Sequence, residues 1–308
     1  MRAGWVALGM LAIAGPAVAE VRPSDINRPV GEDGLGPGYG GNYTQWALEL
    51  VGFFGRGTEA QGREVDRVNL APVVRIATPE RRNDFEVVWA IISHRQSFTD
   101  NNSTRQTLLI SNVHLGYHWA WRTLAQQMRL GLSVTLPAAN VPSDSAAVIR
   151  EALDAYAWSA AMRGWRELWL WRPETMTVAG HADVYWRRAS GFIVGGQVVA
   201  GWMQRVTDSE VLPEDDLLLQ ADLDFIYDLD SARIGLRVGA VALPFTDEDD
   251  VLQASVEPET RFRLGPVDLV VRLTVPLNKP AGFAFSEGGA WAAHVGIANP
   301  THSVLPEE

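Results

Sequence analysis

The stretch Leu217-Leu-Leu-Gln-Ala-Asp-Leu-Asp-Phe-Ile-Tyr227 alternates between apolar and polar over most of its length. Leu217, Leu219, Ala221, Leu223, Phe225 and Tyr227 fall in one phase, and Gln220, Asp222 and Asp224 fall in the other. Successive side chains of a strand point to opposite faces, so this stretch reads as a strand with one apolar and one polar face.

The same pattern recurs on either side. Ala232, Ile234, Leu236, Val238 and Ala240 alternate with Arg233, Gly235, Arg237 and Gly239. Leu252, Ala254, Val256 and Phe262 alternate with Gln253, Ser255, Glu257, Glu259, Arg261 and Arg263. Val267, Leu269, Val271, Leu273 and Val275 alternate with Asp268, Arg272 and Thr274, and Trp291, Ala293, Val295 and Ile297 with Ala292, His294, Gly296 and Ala298. Upstream, less regular strands are predicted near Trp46–Phe54, Val68–Thr78, Asp84–Ser93, Thr107–Trp121, Gln126–Leu136, Thr175–Arg187 and Phe192–Arg205. The total is about twelve, an even count that suits a bacterial single-chain barrel.

Ser143–Arg163 (SDSAAVIREALDAYAWSAAMR) departs from the pattern. It is Ala-rich, Ser143 or Asp144 can cap a helix, and Gly164 can end one. The segment predicts a helix inside a long loop, with Ala147, Ile149, Ala152, Tyr156 and Ala160 loosely on one face. Trp165-Arg-Glu-Leu-Trp-Leu-Trp171 follows it, suited either to anchor at lipid headgroups or to fold inward.

The chain opens with Arg2, an apolar run Val6–Ala14, a Gly15-Pro16 break and the small-residue site Ala17-Val18-Ala19. That is the layout of a cleaved secretory signal peptide, and the run is too short to span a bilayer, which needs about 20 apolar residues. Glu20–Thr44 reads as a flexible lead, Gln45–Asn299 as one β domain and Pro300–Glu308 as a polar tail. The absence of cysteine excludes a thioether lipid anchor, disulfides and thiolate metal sites. The formal charge of −11 becomes −12 when Met1–Ala19, carrying only Arg2, is removed. An acidic chain is a poor partner for nucleic acid, where phosphate binding needs basic patches.

Alternation alone also fits a soluble sandwich, but three features favour a membrane barrel. Expected short connections (Pro79–Asn83, Thr123–Ala125, Arg188–Gly191, Asp228–Ser231, Leu264–Pro266) alternate with long ones (Gly55–Arg67, His94–Arg105, Pro137–Glu174, Thr207–Asp215, Leu243–Asp250, Asn278–Ala290). Short turns on one side and long loops on the other mark outer-membrane barrels. The polar phase carries charges that pair if the hairpins turn near Leu229 and Leu264–Pro266: Glu257 opposite Arg272, Arg261 opposite Asp268, Asp222 opposite Arg237. Of the twelve Trp, Trp46, Trp119, Trp121, Trp186, Trp202 and Trp291 fall near strand ends, as an interfacial girdle requires.

Signal peptide, strands of about ten residues and loop asymmetry together resemble Gram-negative, porin-like outer-membrane β-barrels over Trp46–Asn299. The resemblance is architectural and identifies no subfamily. It implies an all-β, closed antiparallel transmembrane barrel with one helix in a long loop, located in the cell outer membrane, with outer-membrane lipid and the barrel-assembly machinery as partners. Such barrels commonly end on an aromatic residue; here Asn299–Glu308 trails past the last strand.

Motifs for chemistry are sparse. His114 and His118, four apart on a strand, stand about 13 Å apart at roughly 3.3 Å per residue, too far to share one metal. Neither His94 nor His114 has a same-face serine at i±2, so the chain departs from lipid-modifying barrel hydrolases at the nucleophile. Asp247–Asp250 reads as a solvated charge run. No metal, cofactor or catalytic group is expected. The predicted lumen lining is Arg129, His181, Asp183, Asp222, Asp224, Arg233, Arg237, Glu257, Glu259, Arg261, Asp268, Arg272 and His294. The leading expectation is passive diffusion of small polar solutes, with Ser143–Arg163 as a constriction if its loop turns inward. The alternatives are a salt-bridge-filled structural barrel presenting its outer loops, and a soluble lipocalin-like barrel with apolar residues inside.

Overall fold

The computed structural model describes residues 45–58, 64–79, 83–98, 103–122, 126–142, 145–188, 191–207, 215–229, 231–245, 252–264, 267–277 and 292–298. The expected signal peptide, the lead, the Ser143/Asp144 cap, the acidic run Asp247–Asp250 and the polar tail lie outside the described residues.

The elements in chain order are β1 (Gln45–Thr58), β2 (Glu64–Pro79), β3 (Asn83–Phe98), β4 (Thr104–Ile110), β5 (Val113–Arg122), β6 (Gln126–Leu136), α1 (Ala146–Met162), α2 (Leu168–Trp171), β7 (Thr175–Arg187), β8 (Phe192–Arg205), β9 (Asp216–Asp228), β10 (Ala232–Ala242), β11 (Leu252–Arg263), β12 (Asp268–Pro276) and β13 (Ala292–Ala298). Among the described residues all pairings are antiparallel; consecutive strands pair, except that β3 pairs with both β4 and β5, and β13 also pairs with β1.

The single strand expected over Thr107–Trp121 is divided. Ile110 pairs with Ile91 and His114 pairs with Val88, so two residues of β3 face three residues, 111–113, on the other chain segment. One extra residue makes a β-bulge, which bends the strand and flips its side-chain phase. Leu109 and Ser111 are buried before it, and Asn112, His114, Gly116 and His118 after it. With β4 and β5 counted as one bent strand, the all-β sheet has twelve.

Two expectations of spacing are corrected. The first two long loops are shorter than predicted, because β1–β2 and β3–β4 continue pairing as far as Thr58↔Glu64 and Ser97↔Thr104. There the apolar alternation fades while the backbone ladder persists, so hydrophobic pattern alone ended the strands early. The expected charge registers are off by two. Arg237 faces Asp224 rather than Asp222, Arg272 faces Glu259 rather than Glu257, and Asp268 faces Arg263 rather than Arg261. Backbone bonds Leu229 N→Ala232 O and Leu264 N→Val267 O centre each turn one residue later than expected. Moving a turn centre by one residue moves the pairing by two, so every side chain keeps its face.

Those faces have opposite chemistry. Leu132, Val178, Val198, Leu219, Leu223, Phe225, Ile234, Leu236, Leu273 and Val295 are exposed, while the residues between them are buried and largely polar. A soluble lipocalin-like barrel would have the reverse arrangement. Trp119, Trp121, Trp186 and Trp202 are exposed near strand ends, as a girdle requires; Trp291 and the side chain of Trp46 lie outside the described residues.

Candidate functional site

The connection between β6 and β7, residues 137–174, turns onto the buried face of the sheet. Ala146 and Ala147 at the start of α1 are exposed; from Ala152 onward, Ala152, Ala155, Tyr156, Ser159, Ala160, Ala161 and Met162 are buried. The N-cap of the helix is Ser145, whose side chain makes no capping bond. It ends at Arg163 with Gly164 at φ +62°, the left-handed position that glycine fills at helix C-termini. All four residues of α2 are buried, so Trp169 and Trp171 face inward rather than anchoring at a membrane surface.

Apolar contacts hold the outer part of this segment. Ala152, Ala155, Trp169, Leu170 and Trp171 share one core cluster with Ala71, Val88, Ala90 and Ile92 of β2 and β3, Val199 and Met203 of β8, and Leu218 of β9. The bulge explains its anchorage. Asn112 Nδ2 donates to the carbonyls of Trp169 (2.9 Å) and Arg172 (2.7 Å), and Asn112 Oδ1 accepts from Ala139 N (2.9 Å). Asn112 N donates to Leu170 O, closing the hub. Because the bulge puts both Ser111 and Asn112 inward, one wall residue can satisfy the polar backbone of a non-sheet segment.

Charged contacts hold the inner part. Arg166 Nη1 donates to Glu257 Oε2 at 2.7 Å, and its Nε lies 3.4 Å from Asp222 Oδ1. Arg75 bridges Glu86 Oε1 (2.5 Å) and Glu167 Oε1, and Arg163 pairs with Glu167 at 2.8 Å. Glu167 N donates to Gln220 Oε1, and His294 Nε2 lies 3.0 Å from Met162 O. The segment thereby adds polar bonds to β2, β9, β11 and β13.

The thirteen residues predicted as lumen lining divide as follows. Asp222 and Glu257 hold Arg166, and His294 meets Met162. His181 lies against Trp169, edge-on with centroids 5.7 Å apart. The other nine form wall pairs between adjacent strands: Arg129–Asp183 (2.9 Å), Arg237–Asp224 (2.6 Å), Arg261–Asp268 (2.8 Å), Arg272–Glu259 (2.9 Å), and Arg233–Asp228 (3.6 Å). Arg261 reaches Asp268 diagonally despite the shifted register. Asp228 also meets Arg187 and Arg263 near the short turns. All thirteen are buried except Glu259, which is half-buried.

The histidines converge more than one strand suggests. His118 and His114 ring centroids lie 5.5 and 6.0 Å from that of His181, and His114 stacks on Trp169 at 5.5 Å. Gly131 makes this possible: a Cβ there would sit 2.0 Å from His118 Cδ2. Ser133 Oγ and His181 Nε2 are 2.6 Å apart, a cross-strand pair that a search along single strands misses. Among the described residues, no group of three or more His, Asp or Glu could hold a metal ion. A polar cavity of about 30 Å³ is lined by Arg75, Glu86, His118, Glu167, Trp169 and Gln220 among others. That is room for a water or two.

Sequence reading missed the inserted partners Arg163, Arg166 and Glu167, and the wall residues Asn112, Arg75 and Glu86. Two signals were present. The outward apolar phase is even at Leu108 and Ile110 and odd at Leu115, Trp119 and Trp121, which marks the bulge. Charges within Trp165–Trp171 need partners if that segment is buried.

No family model matches this chain. No curated protein matches it either. Among solved structures, it is similar to an outer membrane channel from Pseudomonas putida F1, with 15% identity and a TM-score of 0.57, covering 91% of this chain and 99% of that one. It also aligns with the translocator domain of the autotransporter NalP from Neisseria meningitidis, at 12% identity and a TM-score of 0.48, covering 84% and 88%. These neighbours are outer-membrane β-barrels, and the likeness to the Pseudomonas channel concerns the fold.

Proposed function

We propose that this chain is an outer-membrane channel: a closed transmembrane barrel whose lumen is occluded by its own loop 137–174. The ladder from Ala47↔Ala298 to Phe53↔Ala292 supports closure, and the exposed apolar belt supports insertion in a bilayer. In this reading the five adjacent-strand ion pairs, with Asp222, Glu257, His181 and His294, line the lumen. Met1–Ala19 directs export, the assembly machinery inserts the barrel, and small polar solutes are the cargo.

One observation carries the channel reading over a permanently filled barrel. The wall arginines bond along the wall to carboxylates on neighbouring strands. The obstruction is a connection between two strands, an element that can move without unpairing the sheet.

The test is current through a planar bilayer carrying the chain Glu20–Glu308, compared with the same chain lacking Ser143–Arg163. The deletion should raise single-channel conductance. A heat-modifiable barrel that passes no current in either form would make it a structural barrel instead.

A further inference from the structure

We propose that Asp222 and Glu257 form a binding site for guanidinium-type cations, occupied in this structure by the chain's own Arg166. The proposal rests on the channel reading only for the route by which a solute arrives.

The two carboxylates stand on β9 and β11, on either side of β10, and converge on one guanidinium. Gly239 of β10 lies between them. A Cβ there would come within 2.5 Å of Asp222 Oδ1 and 3.5 Å of Arg166 Cδ, so the missing side chain makes the space that the guanidinium stem and carboxylate share. Both carboxylates are held in place from the wall. Gln220 Nε2 donates to Asp222 Oδ2 at 2.8 Å, and Thr274 Oγ1 donates to Glu257 Oε1 at 3.3 Å. Asp222 Oδ1 is buried with no hydrogen bond, its Arg166 contact at 3.4 Å being electrostatic.

Charge makes the site demand a cation. At this depth β9 to β12 supply four carboxylates, Asp222, Asp224, Glu257 and Glu259, and two guanidiniums, Arg237 and Arg272. Arg237 is engaged by Asp224, and Arg272 by Glu259, reaching Glu257 only at 3.8 Å. Four negative against two positive leaves −2, and Arg166 brings it to −1. When the loop leaves, these two carboxylates lose their principal partner and face the lumen as a negative pair that another cation can occupy. A planar donor that can fork between two carboxylates matches the vacated geometry better than a compact ammonium. A guanidinium solute therefore competes with Arg166, favours the displaced loop and rests in the lumen on its way through.

The experiment uses the full mature chain in detergent micelles, with methylguanidinium as probe, methylurea as its neutral isostere and tetramethylammonium as a cation without donors. Methylguanidinium at tens of millimolar should raise the rate of proteolytic cleavage within 137–174 several-fold, while the other two leave it unchanged. The D222N/E257Q double variant should lose the response. In Arg166→Ala, methylguanidinium should raise the melting temperature and methylurea should not. Equal effects of methylurea, or a response surviving in D222N/E257Q, overturns the site. So does the absence of any response in the wild-type chain. A barrel that shows these responses but passes no current keeps the site and loses the channel reading.

Discussion

Arg166 and Glu257 are 91 residues apart in sequence, yet their side chains meet at 2.7 Å where both are buried. A buried ion pair contributes little net stability, but breaking it by removing one partner costs about 3–5 kcal/mol. Arg166→Met should therefore detach the loop, and Arg166→Met combined with D222N/E257Q should recover most of the loss. Four tryptophans (158, 165, 169 and 171) sit in the segment, so their fluorescence during urea titration reads docking directly. Equal destabilisation in the single and combined variants would mean that the arginine acts through packing alone.

Asn112 joins the wall to three stretches of the loop, and its role differs from that of the ion pairs. Replacing it with alanine strands the amide of Ala139 and the carbonyls of Trp169 and Arg172. Each unsatisfied buried group costs about 1–3 kcal/mol unless water reaches it. Asn112→Ala should leave the heat-modifiable barrel intact and raise both loop proteolysis and single-channel conductance. Aspartate restores the acceptor but cannot donate, so Asn112→Asp should rescue little.

The fold was legible because a strand's period of two is written directly in Leu217–Tyr227 and its neighbours. β6, β7 and β8 begin and end at the residues expected from the sequence. The paired carboxylates and arginines were identifiable as a set, because the face of each residue follows from the alternation. Their partners were not, because a turn moved by one residue shifts every pair by two without leaving a mark in the hydrophobic pattern. The loop's destination was least legible. Trp165–Trp171 satisfies either an interfacial or a buried setting, and the choice depends on Asn112, Asp222 and Glu257, each remote in sequence.

Gly164 tests how tightly the helix end is fitted. Its φ of +62° disfavours any side chain, and a Cβ there would lie 2.3 Å from Ser255 Oγ and 3.3 Å from Thr274 Cγ2. Left-handed strain of about 1–2 kcal/mol then adds to a contact that only a wall shift can relieve. Gly164→Ala should loosen the loop and increase its cleavage, whereas Gly164→Ala with Ser255→Gly should return part of the way, since the steric component is removed and the backbone strain stays.

The outer face makes the membrane assignment testable without any current. Leu132 projects outward from β6, opposite Tyr117 and Gly180, within the part of the sheet where strands pair on both sides. Leu108 is the more exposed of the two, but lies on β4, which pairs with β3 beyond the end of β6. In a bilayer, arginine on the lipid face costs about 2–4 kcal/mol at midplane and about 0–1 near the interfaces. Leu132→Arg should therefore lower folding stability in lipid vesicles by that larger amount, measured by urea titration, while Leu108→Arg changes it little. In a water-soluble barrel both substitutions would add a charge to a wet surface and be close to neutral. Equal, small effects at the two positions would therefore remove this sheet from the membrane.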